Sequence, residues 1–336
     1  MSYDLLLTAP RAALDASARA LLAWVIARPR WTMPEGGAPD CEWLESPPGE
    51  AFYAYENEDT RVGFEVYLAT ARERADHAAF AHVRVNLVRP RPFRLEAARE
   101  LADLIADLRC GLLDLRPQGL GRGPFRPDVF ARAWDAANLR GLREVLVALA
   151  DTQESSYARV VLGEAEIERT WRWSDARTAR ERELLRAGID RFLPCFLYGT
   201  YRDRSMAMVT WSNGPTILPR ADYALIDLGD SGPDAREPTQ TNLRLVPWAT
   251  ALPFLGAPSA RFDGEPTWQI DGYPAALRDR VRDESFPSNA ELCLFDLEHA
   301  MEREVLELAQ RLGPPRRKTL AYYPGSRPVT PGRKLH

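Results

Sequence analysis

Alternating and helically spaced apolar positions divide the chain into elements. "YDLLLT" (3–8) predicts a short buried strand. Leu14, Ala18, Leu21, Leu22 and Val25 then recur at helical spacing until Pro29 stops the run. Residues 32–49 are rich in Pro, Gly and acid and read as a loop. Strand-like segments follow at 51–55, 62–69 and 81–88. In "HVRVNLV", Val83, Val85 and Leu87 alternate with Arg84 and Asn86, as in a half-buried antiparallel strand. "FRLEAARELADLIADLRCG" places Leu95, Ala98, Leu101, Leu104, Ile105 and Leu108 on one helical stripe, with Gly111 just beyond. A short strand, "LLDL", precedes "RPDVFARAWDAANLRGLREVLVALA", which reads as one or two helices.

The polar stretch "DTQESS" (151–156) separates this half from the next and is the expected linker. "YARVVL" predicts a strand. Alternation in "IERTWRWSD" sets Trp171 and Trp173 on one strand face, and a charged surface helix is expected from a cap at Ser174 or Asp175. Four strand-like runs follow: "PCFLYGT", "SMAMVTWS", "TILPRADYALIDL" and "NLRLVPWA". The Asn-Gly pair in "SNGP" signals a tight hairpin between the second and third. "YPAALRDRVRDE" and "HAMEREVLELAQRLG" predict closing helices, the second ended by Gly313 and Pro314. The expected fold is α+β in two domains, 1–150 and 157–313, each an antiparallel sheet with helices packed mainly on one face. Residues 314–336 form a basic, proline-rich tail.

Composition changes this picture little. Of 336 residues, 45% are hydrophobic and 27% charged, ordinary globular usage with a net charge of −4. That balance gives no general attraction to nucleic acid, which needs clustered positive charge. No apolar run approaches the roughly 20 residues of a membrane span, and "MSYDLLLTAPRA" lacks the pattern of a signal peptide. The sole lysines are Lys318 and Lys334 against many arginines, which reads as GC-rich coding bias. The expectation is a bacterial, cytoplasmic protein.

Candidate chemistry is sparse. Cys41, Cys110, Cys195 and Cys293 form no Cys-x-x-Cys pair, so neither a thiolate zinc site nor a disulfide framework is expected. A Cys195–His299 couple stays open, although the apolar run around Cys195 favours an inert thiol. His77 and His82 stand five apart with only Asp76 adjacent, a weak metal pattern. "GLGRGPFRP" (119–127) lacks dinucleotide-loop spacing and reads as a structural turn with a fainter anion-binding alternative. No motif demands a cofactor.

One stretch stands out. Between Glu35 and Thr60 there is no Lys or Arg, whereas Glu35, Asp40, Glu42, Glu45, Glu50, Glu56, Glu58 and Asp59 are acidic. The "ENEDT" segment falls where "AFYAYENEDTRVGFEVYLAT" (51–70) must reverse. Alternation separates Phe52 with Ala54, and Val62 with Phe64, Val66 and Leu68, from Tyr53, Tyr55, Glu65 and Tyr67 on the opposite faces. The bland reading is a hairpin with a wet acidic tip, its charge answered internally by Arg84, Arg89, Arg91 and Arg94. The functional reading is a partner-binding surface of Tyr53, Tyr55, Glu56, Glu58, Asp59, Glu65 and Tyr67 that captures a basic protein. On it the chain is a non-catalytic binding protein of the immunity type that neutralises a bacterial toxin. Two alternatives belong to other classes. One is a hydrolase or transferase with Asp227, Asp263, Asp271, Asp296 and Glu298 in a cleft between the halves. The other is a structural subunit whose tail, 316–334, docks on an acidic neighbour.

Overall fold

The computed structural model describes residues 1–33, 52–116, 119–152, 160–227, 243–283, 286–287 and 293–314. The first half is built on a seven-stranded antiparallel sheet. Its strands are β1 (Ser2–Thr8), β2 (Trp31–Thr32), β3 (Phe52–Asn57), β4 (Val62–Leu68), β5 (Ala79–Asn86), β6 (Gly111–Leu113) and β7 (Arg122–Gly123). They lie in the order β2-β3-β4-β5-β1-β6-β7. One face is apolar at every second position: Tyr3, Leu5 and Leu7 on β1, Phe64 and Val66 on β4, and Val83 and Val85 on β5 are all buried.

Three helices cover that face. The first, α1 (Leu14–Ile26), buries Leu14, Ala18, Leu21, Trp24 and Val25. A second helix, α2 (Ala71–His77), lies instead on the other face at one end and is started by a Thr70–Glu73 capping box. The next, α3 (Pro92–Leu108), buries Phe93, Ala97, Leu101 and Leu104 against β4 and β5. Its left-handed C-cap is Arg109, at φ 49°, rather than a glycine. Gly111 serves another purpose as the first residue of β6, where a Cβ would lie 2.7 Å from Thr8 Oγ1. The long run at 127–152 is one uninterrupted helix, α4 (Pro127–Thr152), which sinks Phe130 and Trp134 into the core. Burying side chains of this size contributes ~1.5–3 kcal/mol each.

The second half begins with β8 (Val160–Leu162) and α5 (Glu164–Arg186). Here the sequence pattern misleads. Trp171 and Trp173 are helical, and the helix starts ten residues before the expected cap. Alternation over only three residues does not distinguish strand from helix, and the surrounding Glu, Arg and Ala residues favour the helix. Next come β9 (Phe196–Tyr201), β10 (Arg204–Trp211), β11 (Thr216–Pro219), β12 (Tyr223–Asp227) and β13 (Leu243–Pro247). They are followed by α6 (Trp248–Leu255), β14 (Ala260–Phe262), β15 (Glu265–Ile270), α7 (Ala275–Asp283), β16 (Cys293–Phe295), β17 (Ala300–Glu302) and α8 (Arg303–Leu312).

The second sheet runs β13-β12-β10-β9-β16, with β10 and β12 parallel and its other pairings antiparallel. The run "TILPRADYALIDL" supplies two strands rather than one. The first part, β11, leaves to pair with β15 in the three-stranded sheet β11-β15-β14, and β12 returns beside β10. The Asn213-Gly214 pair therefore does not close a hairpin, and neither residue has a positive φ. A parallel two-stranded pairing joins β17 to β8.

A single buried cluster extends from Tyr3 and Tyr53 through Trp134 and Trp173 to Trp248 and Ala300, so both halves contribute to one core. The expected linker begins inside α4, and 153–159 lie outside the described residues, as do most of the acidic loop (34–51) and the basic tail from 315 onward. No described helix is long and apolar enough to cross a membrane.

Candidate functional site at the acidic hairpin

The register of β3 with β4 sorts the hairpin. Tyr53 pairs with Val66, Tyr55 with Phe64 and Asn57 with Val62, all pointing into the core. Phe52 with Tyr67, Ala54 with Glu65 and Glu56 with Gly63 form the outward set. Tyr53 and Tyr55 are fully buried, with Tyr55 stacked on Phe64 at 5.0 Å and edge-on to Trp31 at 5.7 Å. They cannot offer contact area to a partner, so this part of the sequence expectation is corrected. Aromatic side chains stand on both faces of "AFYAYEN", and packing against Trp31 and α3 chose between them.

The inward face carries a polar network that links the halves. Glu96 of α3 is completely buried. Its Oε2 accepts from Tyr55 Oη at 2.9 Å and Asn57 Nδ2 at 2.9 Å, and its Oε1 accepts from Trp171 Nε1 at 2.6 Å. Desolvation raises the Glu96 pKa despite these donors. Beside it Asp175 of α5 receives both guanidinium nitrogens of Arg99, at 2.6 and 2.9 Å, and Arg30 approaches at 3.4 Å. The fork of Arg99 suits a carboxylate bidentately. The signal for Glu96 is present in the sequence: it falls on the 93-97-101-104 stripe that α3 buries, among Phe93, Ala97, Leu101 and Leu104.

The tip is anchored as well. Asn57 O accepts from Thr60 N at 3.1 Å and Arg61 N at 2.7 Å, closing the reversal with Arg61 at φ 58°. The Asp59 side chain is only 8% exposed. One of its oxygens accepts from Arg177 Nε at 3.1 Å and from Nη2 of the same residue, and the other accepts from the Thr178 hydroxyl. Asp59 is thus a clasp to α5 rather than a free charge.

The outward set differs. Glu56 and Glu58 are exposed and make no ion pair among the described residues. Glu65 accepts from Tyr67 Oη at 2.5 Å and stands opposite Arg84, whose guanidinium lies over the Tyr67 ring at 4.2 Å. Phe52 packs on Tyr67 at 5.4 Å. Internal pairing by 84–94 is therefore partial. Arg84 stands across from Glu65 on the neighbouring strand with its guanidinium over Tyr67, whereas Arg89 reaches Glu298, Arg91 reaches Glu164 and Arg94 reaches Asp135. At the tip Arg177, from the other half, pairs with Asp59 alone.

The remaining candidates do not assemble. Asp263, Asp271, Asp296 and Glu298 pair separately with Arg172, Arg191, Arg61 and Arg89, and Asp271 is 84% exposed. Asp227 lies on β12, paired with Leu243 of β13. Asp263 and Asp296 line separate cavities among the described residues. Cys195 lines a small cavity beside Asp59, Arg61 and Ser174, and burial raises its pKa. His299 packs on Phe295 next to Glu298 instead. The His82 ring lies between Asp4 at 3.3 Å and Glu73 at 3.1 Å. In the glycine-rich turn, Arg116 N and Leu120 N both donate to Asp114, so that carboxylate takes the donors an external anion would need.

No protein-family model matches the chain, and neither curated proteins nor solved structures provide a match.

Proposed function

We propose that this chain is a non-catalytic cytoplasmic binding protein that captures a basic protein partner on the outward face of the β3–β4 hairpin. The reading is that of an immunity protein neutralising a toxin domain. The observation that supports it is the contrast at the tip. Glu56 and Glu58 are exposed without an ion pair among the described residues, yet the turn that carries them is held by Asp59 to Arg177 and Thr178. Fixed, unanswered charge on a rigid support steers an oppositely charged partner without a large ordering cost. Glu65, Tyr67 and Phe52 extend the same face with a half-buried aromatic pair.

The test is binding to the product of a neighbouring toxin-like gene. The two proteins should co-elute on size exclusion. The double reversal Glu56→Lys with Glu58→Lys should slow association at least tenfold at low salt and by less at high salt, since steering of this kind is screened. Unaltered association kinetics in the double variant would refute the role of the tip, and failure to co-elute would refute the reading.

A further inference from the structure

One cavity lies away from the hairpin, between the start of β1, Arg116 and Gly119 after β6, and the middle of α4. Its volume is about 600 Å³, within the ~300–1,000 Å³ usual for small-molecule sites. Leu87, Ala133, Ala136 and Ala137 give it an apolar lining. The small side chains on this stretch of α4 leave space that larger ones would fill.

The charged groups are few and differ in how far they are satisfied. Arg116 is held rigidly. Its guanidinium lies over the Tyr3 ring at 3.9 Å, Nη2 donates to Ser2 O at 2.6 Å, and Asp4 stands 3.9 Å away. Tyr3 is itself fixed by its hydroxyl, which donates to Asp114. Yet Nη1 of Arg116 is buried with no acceptor among the described residues. A buried guanidinium nitrogen without an acceptor is costly, because desolvation is not repaid. Arg140 also lines the cavity, is exposed and makes no ion pair among the described residues. Against these stand two acids. Asp4 is engaged by the Ser2 hydroxyl at 2.8 Å and by His82 as well as by Arg116. Glu144 is exposed on the rim.

We infer that this cavity binds a small amphiphilic molecule carrying one carboxylate, its head received by Arg116 and Arg140 and its apolar body laid on Leu87 and the alanines of α4. A carboxylate supplies the counter-charge that Arg140, an exposed cation on the cavity, lacks among the described residues, beside the guanidinium of Arg116. A single negative charge fits better than two, because Glu144 and Asp4 repel a dianion more strongly. The inference is independent of the hairpin surface, since the two share no residue.

Titration calorimetry with sodium octanoate tests it, with acetate as the charge without the body and 1-octanol as the body without the charge. Octanoate should bind one per chain, at least tenfold more tightly than either control. Arg116→Met should weaken octanoate at least tenfold, equivalent to ~1.4 kcal/mol. Ala137→Leu, which fills the cavity and leaves every charge in place, should do the same with little change in melting temperature. Should Arg116→Met fail to fold, Arg140→Gln and Ala137→Leu decide between them, each expected to weaken binding. Octanoate that does not saturate, octanol that binds equally well, or wild-type affinity in the folded variants would each overturn the assignment.

Discussion

Asp59 and Glu58 are adjacent acids on one turn, and the structure gives them opposite roles. Replacing Asp59 by Ala removes acceptors for two Arg177 nitrogens and the Thr178 hydroxyl, and leaves Arg177, whose side chain is 20% exposed, facing the gap. Hydrogen bonds to charged groups are worth ~1.5–3 kcal/mol net, and breaking a fully buried pair costs ~3–5 kcal/mol. Arg177 keeps a second acid, Glu181, at 2.8 Å, which places the loss at the lower end, about 2–3 kcal/mol. For 336 residues the unfolding entropy of ~2.1 cal/mol/K per residue makes each kcal/mol worth about 1.4 °C. Asp59→Ala should therefore lower the calorimetric melting temperature by about 3–4 °C. Glu58→Ala should leave it within about 1 °C, because its exposed carboxylate makes no ion pair among the described residues. Rescue can be sought with Asp59→Asn, which retains an acceptor and should recover part of the loss. Equal melting temperatures for Asp59→Ala and Glu58→Ala would show that the clasp to α5 holds nothing, and the rigid-tip reading would go with it.

Two further predictions concern the same sheet. Burial works against the charge of His82, but its hydrogen bonds to Asp4 and Glu73 outweigh this and lift its pKa to about 9 from 6.5, while His82 helps bring Glu73 down to about 2 from 4.5. Stability from the triad should be complete between about pH 4.5 and 6.5, then fall as pH rises through 9 or drops through 2. His82→Gln should flatten the alkaline limb of melting temperature against pH, and an unchanged limb would sink the assignment. Tyr53→Phe should be neutral or stabilising by up to ~1 kcal/mol, because the buried Tyr53 hydroxyl has no hydrogen-bond partner among the described residues. A large loss in denaturant titration would reveal a partner for that hydroxyl.

The sequence made the elements of the first half legible because each has one strong period: β5 alternates cleanly, and α1 and α3 carry stripes ended by Pro29 and near Gly111. It was less informative where two periods compete. "WRWSD" alternates over too short a span to reveal a helix, and the tyrosines of β3 have aromatic neighbours on either side, so their burial was decided by Trp31 and Phe64. The parallel return of β12 beside β10 depends on β11 leaving for another sheet, which no local pattern encodes. In the candidate site, Glu56 and Glu58 were legible as wet acids, whereas Asp59 was not separable from them. Its partners are 118 and 119 residues distant. Glu96 was overlooked because a carboxylate on an apolar stripe reads as noise until its donors are known.

The Trp171 indole that reaches Glu96 lies 75 residues downstream of it. The strands of the first sheet and the helices packed on it all precede that indole in the chain, so during synthesis they leave the ribosome before it. Until then Oε1, the oxygen that Trp171 serves, must keep water, since Tyr55 and Asn57 both donate to Oε2. Arrival of α5 is what allows the interior there to dry, and a chain cut after residue 152 would be left with a damp seam where the finished protein has a closed one.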